Sequence, residues 1–118
     1  MREKLEQIEA RFRALEEKIA SPEWYNDPEA VRKLSREQKL LEPVVSKYRE
    51  LCRWEEQAKS AEELLAGETD PELRALAREE AEECRRHVGE AEQELRLRLH
   101  RHRHEGRERH CIRAADRF

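Results

Sequence analysis

The densest set of metal-ligating side chains in this 118-residue sequence is His100, His102, His104, His110 and Cys111. Imidazole and thiolate together suit Zn²⁺ or Ni²⁺. A structural metal site, however, takes one ligand pair across a turn and a second pair from elsewhere. These five form a single dense run, so adventitious binding is the reading the spacing favours, and no functional metal site is expected. Residues 96–118 also hold eight Arg against three acids. Such a run can neutralise phosphates, but no aromatics are interleaved for base stacking. The tail is therefore expected to give at most a weak, non-specific RNA contact. Cys52 and Cys84 fall on apolar helix stripes, where a thiol is a small buried apolar group. His87 lies beside such a stripe and reads as a seam-edge histidine. Trp24 and Tyr25, in a short connector, read as a plug for the end of a helix pair rather than a recognition patch. There is no Gly-rich phosphate loop, and the only glycines are Gly67, Gly89 and Gly106. The carboxylates are spaced regularly along solvent faces. No catalytic or cofactor-binding residue is expected, no cofactor is implied, and the chain is not expected to be an enzyme.

The elements that carry these residues follow from composition and period. Ala, Glu, Lys, Leu and Arg make up 76 of the 118 residues, while Leu, Ile, Val and Phe total 22. That mixture is the signature of long helices and coiled coils, and it supplies thin helix-on-helix seams rather than a thick core. Charged residues at 45% would permit disorder, but periodic apolar stripes argue for order over 1–99. Leu5, Ile8, Phe12, Leu15 and Ile19 step by three and four, a heptad seam on a helix over 2–20. Ser21-Pro22-Glu23 ends it.

A long helix over 28–65 comes next. Asp27 is its N-cap, Pro28 its first helical residue and Glu29 a favourable charge at the positive end of the dipole. Val31, Leu34, Leu41, Val44, Val45, Tyr48, Leu51, Cys52, Ala58, Ala61, Leu64 and Leu65 form its stripe. Pro43 interrupts it and reads as a kink, with a break into two helices at Glu42 as the alternative. Gly67 is the expected C′ residue. Asp70-Pro71-Glu72 repeats the capped start, and a third helix is expected over 71–99, with Leu73, Leu76, Ala77, Ala81, Cys84, Val88, Ala91 and Leu95 on one face. Short connectors make neighbouring helices antiparallel. The fold class expected is all-α: an elongated antiparallel three-helix bundle or coiled-coil-like arm, with a disordered C-terminal tail.

At about residue 99 the text changes. Residues 1–95 carry 17 basic and 25 acidic side chains, whereas residues 96–118 carry a net charge of +5. The expected organisation is a helical domain over 1–99 and an Arg/His-rich tail over 100–118. The tail fits a frame-shifted reading: moved by one base, its codons permit Lys-Asp-Glu-Asn-Val-Ile. No apolar run approaches the length of a spanning helix and no leader is evident, so a cytoplasmic protein without membrane contact is expected.

Several segments, in order, carry a resemblance: Lys4-Leu5-Glu6-Gln7-Ile8, Ser21-Pro22-Glu23, Leu34-Ser35-Arg36-Glu37, Glu62-Glu63-Leu64-Leu65, Asp70-Pro71-Glu72-Leu73-Arg74 and Ala77-Arg78-Glu79-Glu80. Over residues 1 to about 99 the chain resembles the N-terminal helical domain of bacterial peptide chain release factor 1, a class I release factor. The resemblance implies a role in stop-codon-dependent translation termination, with the ribosome as partner and the stalk base of the large subunit as the surface faced. It also implies a chain truncated before the codon-reading and Gly-Gly-Gln domains, since neither Gly-Gly-Gln nor Pro-x-Thr occurs. No catalytic residue carries over. The alternative is a small coiled-coil scaffold, or an RNA-binding adaptor using the basic tail. No small-molecule substrate is implied by either.

Overall fold

The structure, a computed structural model, describes the backbone of residues 1–116 and the side chains of residues 1–101. Helix α1 is Arg2–Ala20, α2 is Pro28–Gly67 and α3 is Pro71–Asp116, with a 3-10 turn at Pro22–Trp24. There is no strand among the described residues, so the expected all-α class holds. The chain divides into two units, Met1–Glu50 and Leu51–Phe118.

In the first unit, the heptad seam of α1 buries Leu5, Ile8, Phe12 and Leu15. The first part of α2 buries Leu41, Val44, Val45 and Tyr48. Each such side chain removed from water contributes on the order of 2 kcal/mol. Arg2 lies 5.7 Å over the Tyr48 ring, while Arg11 pairs with Glu37, so α1 and α2 run in opposite directions. The α1 helix stops where Ser21 turns extended and Pro22 follows; the Ser21 N–H donates to the Lys18 carbonyl at 3.1 Å. Tyr25 is 74% exposed and Trp24 half-buried, so the connector aromatics do not both plug the helix end.

The start of α2 is as the sequence predicts. The Asp27 carboxylate accepts from the Ala30 N–H at 3.1 Å, satisfying an orphan amide of the first turn. Pro43 lies inside one continuous helix, which excludes a break at Glu42. Its ring is on an exposed position, and Val44 and Val45 stay buried just after it.

In the second unit, α2 buries Leu51, Ala58 and Ala61, and α3 buries Ala77, Ala81, Cys84, Val88, Ala91, Leu95 and Leu99. Three leucines assigned to the stripes are instead exposed: Leu64 at 57%, Leu73 at 48% and Leu76 at 61%. At about 100° per residue, Leu64 and Leu76 drift off the buried arc. Leu73 is on that arc but lies in the first turn of α3, where α2 has already ended. The other correction concerns Gly67. It is the last residue of α2 and no glycine has positive φ among the described residues, so it is not a left-handed C′ residue. The α2 carbonyl end is satisfied from α3 instead: Arg74 donates to the Leu65 and Glu68 carbonyls at 2.9 and 2.8 Å. Asp70 caps α3, accepting from the Glu72 N–H at 3.0 Å. Helix α3, expected over 71–99, runs from Pro71 to Asp116. The expectation of a disordered tail over 100–118 falls, from residue 102 on, outside the residues whose side chains are described.

Candidate functional site

Two bidentate ion pairs tie helices across the seams. In the first unit Arg11 donates through Nε and an Nη to both Glu37 carboxylate oxygens at 2.8 Å. In the second, Arg85 holds Glu62 the same way at 2.7 and 2.9 Å. The fork of guanidinium on carboxylate fixes orientation as well as distance. The hydrogen bond from Arg11 holds the Glu37 carboxyl below the usual carboxylate range, and Arg85 does the same for Glu62. These are structural clasps: both acids are ionised and occupied at neutral pH, and neither can give or take a proton there.

Trp54, which the stripe analysis of the sequence passes over, stacks on His87 with ring centroids 4.1 Å apart and planes 13° from parallel. It links α2 to α3 from the same stripe as the buried Leu51, Ala58 and Ala61, three residues after Leu51 and four before Ala58. Nε2 of His87 lies 3.9 Å from Glu83 and Nδ1 lies 3.7 Å from Glu90. The imidazole is therefore half-buried at the seam edge, as expected. Its partner Trp54 keeps the heptad steps of Leu51, Ala58 and Ala61, so the period of α2 was a signal that could have found it.

The chemistry anticipated elsewhere is not assembled. Cys84 is buried, and burial, with Glu80 and Glu83 nearby, pushes its thiol up, away from the reactive thiolate. Cys52 is half-buried. No group of three His, Cys, Asp or Glu able to hold a metal occurs among the described residues. Of the candidate cluster only His100 is described, and it is exposed; His102, His104, His110 and Cys111 lie outside the described side chains. A shallow open groove in the second unit is lined by Arg53, Glu56, Gln57, Ser60 and Leu64 of α2 and Glu80 of α3. Its polar lining has no nucleophile backed by a base. Leu64, Leu73 and Leu76 are exposed near the α2–α3 turn. No helix among the described residues is long and apolar enough to cross a membrane.

Comparison with known proteins agrees with a helical module of this kind. The model of the family described as the PCRF domain matches residues 8–113, past the change in composition at 99. Peptide chain release factor 1 of Clostridioides difficile (strain 630) is 39% identical over 94 residues, covering 80% of this chain and 27% of that protein. Peptide chain release factor 1 of Chlorobaculum tepidum is 35% identical over 94 residues, covering 80% of this chain and 26% of that protein. That of Caldicellulosiruptor bescii is 41% identical over 80 residues, covering 68% of this chain and 22% of that protein. The chain thus spans about a quarter of the length of the curated relatives it matches. No solved structure matches it. Because the PCRF match reaches from the seam of α1 far into α3, taking in all of α2, the chain belongs to the PCRF domain family.

Proposed function

We infer that this chain acts as the ribosome-facing helical domain of a peptide chain release factor, in stop-codon-dependent translation termination in the cytoplasm. The observation that carries this reading is the PCRF match over residues 8–113, together with similarity to peptide chain release factor 1 of several bacteria. Its partner is the ribosome, and the surface it faces is the stalk base of the large subunit. The exposed Leu64, Leu73 and Leu76 at the α2–α3 turn support a docking role, because solvent-facing leucines grouped at one end of a domain mark contact surfaces. The chain alone carries out no catalysis: it holds no Gly-Gly-Gln and no Pro-x-Thr. The reading of residues 100–118 as frame-shifted stands apart from this, since the PCRF match runs on to residue 113; the coding DNA tests it: a shifted frame continuing into a Gly-Gly-Gln domain supports it, and one that does not refutes it.

Two assays test the function. The purified chain should co-sediment with ribosomes, and added to ribosomes carrying peptidyl-tRNA at a stop codon it should release no peptide. Failure to bind ribosomes refutes the docking role. Stop-codon-dependent release by the chain alone refutes the assignment as a non-catalytic domain.

A further inference from the structure

Arg32, Lys33, Arg36 and Lys39 crowd the first turns of α2, and all four are exposed. None makes a salt bridge or hydrogen bond among the described residues. The single acid between residues 30 and 41, Glu37, is occupied by Arg11. At about 100° per residue, Arg32, Arg36 and Lys39 fall within an arc of about 60°, with Leu41 and Val45 on the opposite side of the helix. Those two leave 6% and 2% of their surface exposed, so the cations stand on the outward face.

We propose that this face of α2 is a docking surface for the phosphate backbone of RNA. It rests on the reading that the domain docks on a ribosome, and it names the chemistry of one contact. At about 1.5 Å per residue the three cations cover about 10 Å of helix axis. Two of the three are arginines, whose planar fork matches phosphate oxygens two at a time. The positive face is also local: residues 1–95 carry 17 basic and 25 acidic side chains, so bulk charge does not explain it. A lipid surface would call for several large apolar side chains among the cations, and the only large exposed one nearby is Leu40, beside the arc rather than within it. The Arg/His-rich tail is a different stretch of the sequence, and every form tested keeps it unchanged.

The test uses the full 118-residue chain in three forms: parent, R32Q/R36Q/K39Q, and a control, K59Q/R78Q/R96Q, that removes the same charge from exposed sites of the second unit. Circular dichroism establishes that all three are folded. Binding to ribosomal RNA is then titrated against salt. The R32Q/R36Q/K39Q chain should lose roughly 2–3 from the slope of log affinity against log salt, since each phosphate contact contributes about 0.9. The control should stay within about one of the parent. An unchanged slope for R32Q/R36Q/K39Q, or an equal loss for both variants, overturns the proposal. So does displacement of the RNA by polyglutamate or by phosphatidylserine vesicles at equal charge, which would make the face a general anion or lipid surface. Co-sedimentation with ribosomes separates the two readings. If the parent does not sediment, the ribosome reading fails; if parent and R32Q/R36Q/K39Q sediment equally well, only the stripe proposal fails.

Discussion

The first unit fills its core with Leu5, Ile8, Phe12, Leu15, Leu41, Val44, Val45 and Tyr48, whereas the second has Leu51, Leu95 and Leu99 at one end of its seam and only small side chains, Ala58, Ala61, Ala77, Ala81, Cys84, Val88 and Ala91, along the rest. Large side chains interdigitating between helices stabilise by the apolar area they remove from water. Small ones contribute little area each, but they let helix backbones approach, since interaxial distance follows the side chains at the contact. The first seam should therefore be vulnerable to removal of atoms and the second to their addition. Each unit adds one bidentate arginine clasp, Arg11–Glu37 or Arg85–Glu62, on the rim of its seam. The second also has a tied turn, where Arg74 satisfies the end of α2 and Asp70 caps α3.

The comparison breaks first at Leu15, which has no exposed surface. Leu15→Ala should destabilise by about 3 kcal/mol through lost transfer energy and a cavity, read from the urea midpoint at constant m-value. A cost below about 1 kcal/mol would mean that the first seam collapses around the gap. In the second unit the sharper substitution is the reverse. Ala58 is fully buried, and Ala58→Leu should cost about 1–3 kcal/mol by overpacking. If it is neutral or stabilising in thermal melts, the seam is loose and the contrast is wrong.

Smaller effects follow at the turn and on the surface. Arg74→Ala should cost about 1–2 kcal/mol, because one carbonyl in the last turn of α2 and one in the connector lose a charged donor; hydrogen exchange in the last turn of α2 should rise, and unchanged protection there would deny Arg74 that role. Gly89→Ala should stabilise by about 0.5–1 kcal/mol, since it sits inside α3 and a Cβ there meets nothing within 4 Å. A loss of stability would put an unseen neighbour against that face.

The smallest effect concerns pH. Glu37 is held below its ordinary value of 4.5, first by the hydrogen bond from Arg11. A carboxyl depressed in the folded state stabilises fully above its unfolded value, and that share is lost as pH falls through the folded value. Both side chains are more than a third exposed, at 44% and 42%, so the contribution is well under 1 kcal/mol. Below pH 4.5, the stability difference between parent and Arg11→Ala should shrink toward zero. A difference that stayed constant down to full protonation would show that the pair contributes nothing through charge.

The helices were legible because their starts are spelled locally. Asp27-Pro28 and Asp70-Pro71 each put a cap and a helix-compatible proline in adjacent positions, and both caps form. The heptad of α1 is a period without exceptions, and all but half-buried Ile19 is buried. What was not legible depends on tertiary neighbours. Leu64 and Leu76 keep a step of three from an apolar residue, yet a step of three moves the face by about 60°. Gly67 looked like a helix stop, but the ending is made by Arg74, seven residues further on in another helix. Trp54 keeps the steps of the α2 stripe, three after Leu51 and four before Ala58, but its stack on His87 depends on which α3 residue comes to face it. That the sequence contains no Gly-Gly-Gln could be read directly, because the motif is contiguous and needs no fold to be recognised.

The claim at the centre is that this PCRF domain occupies a release factor's place on the ribosome without doing a release factor's chemistry. Competition measures it most directly. A full-length peptide chain release factor 1, labelled and bound to ribosomes at a stop codon, is titrated with the unlabelled chain while peptide release is followed. The account predicts that rising concentrations of the chain displace the labelled factor and slow release, with no peptide released by the chain itself. Undiminished binding of the labelled factor at saturating chain, or release that accelerates as the chain is added, would contradict it.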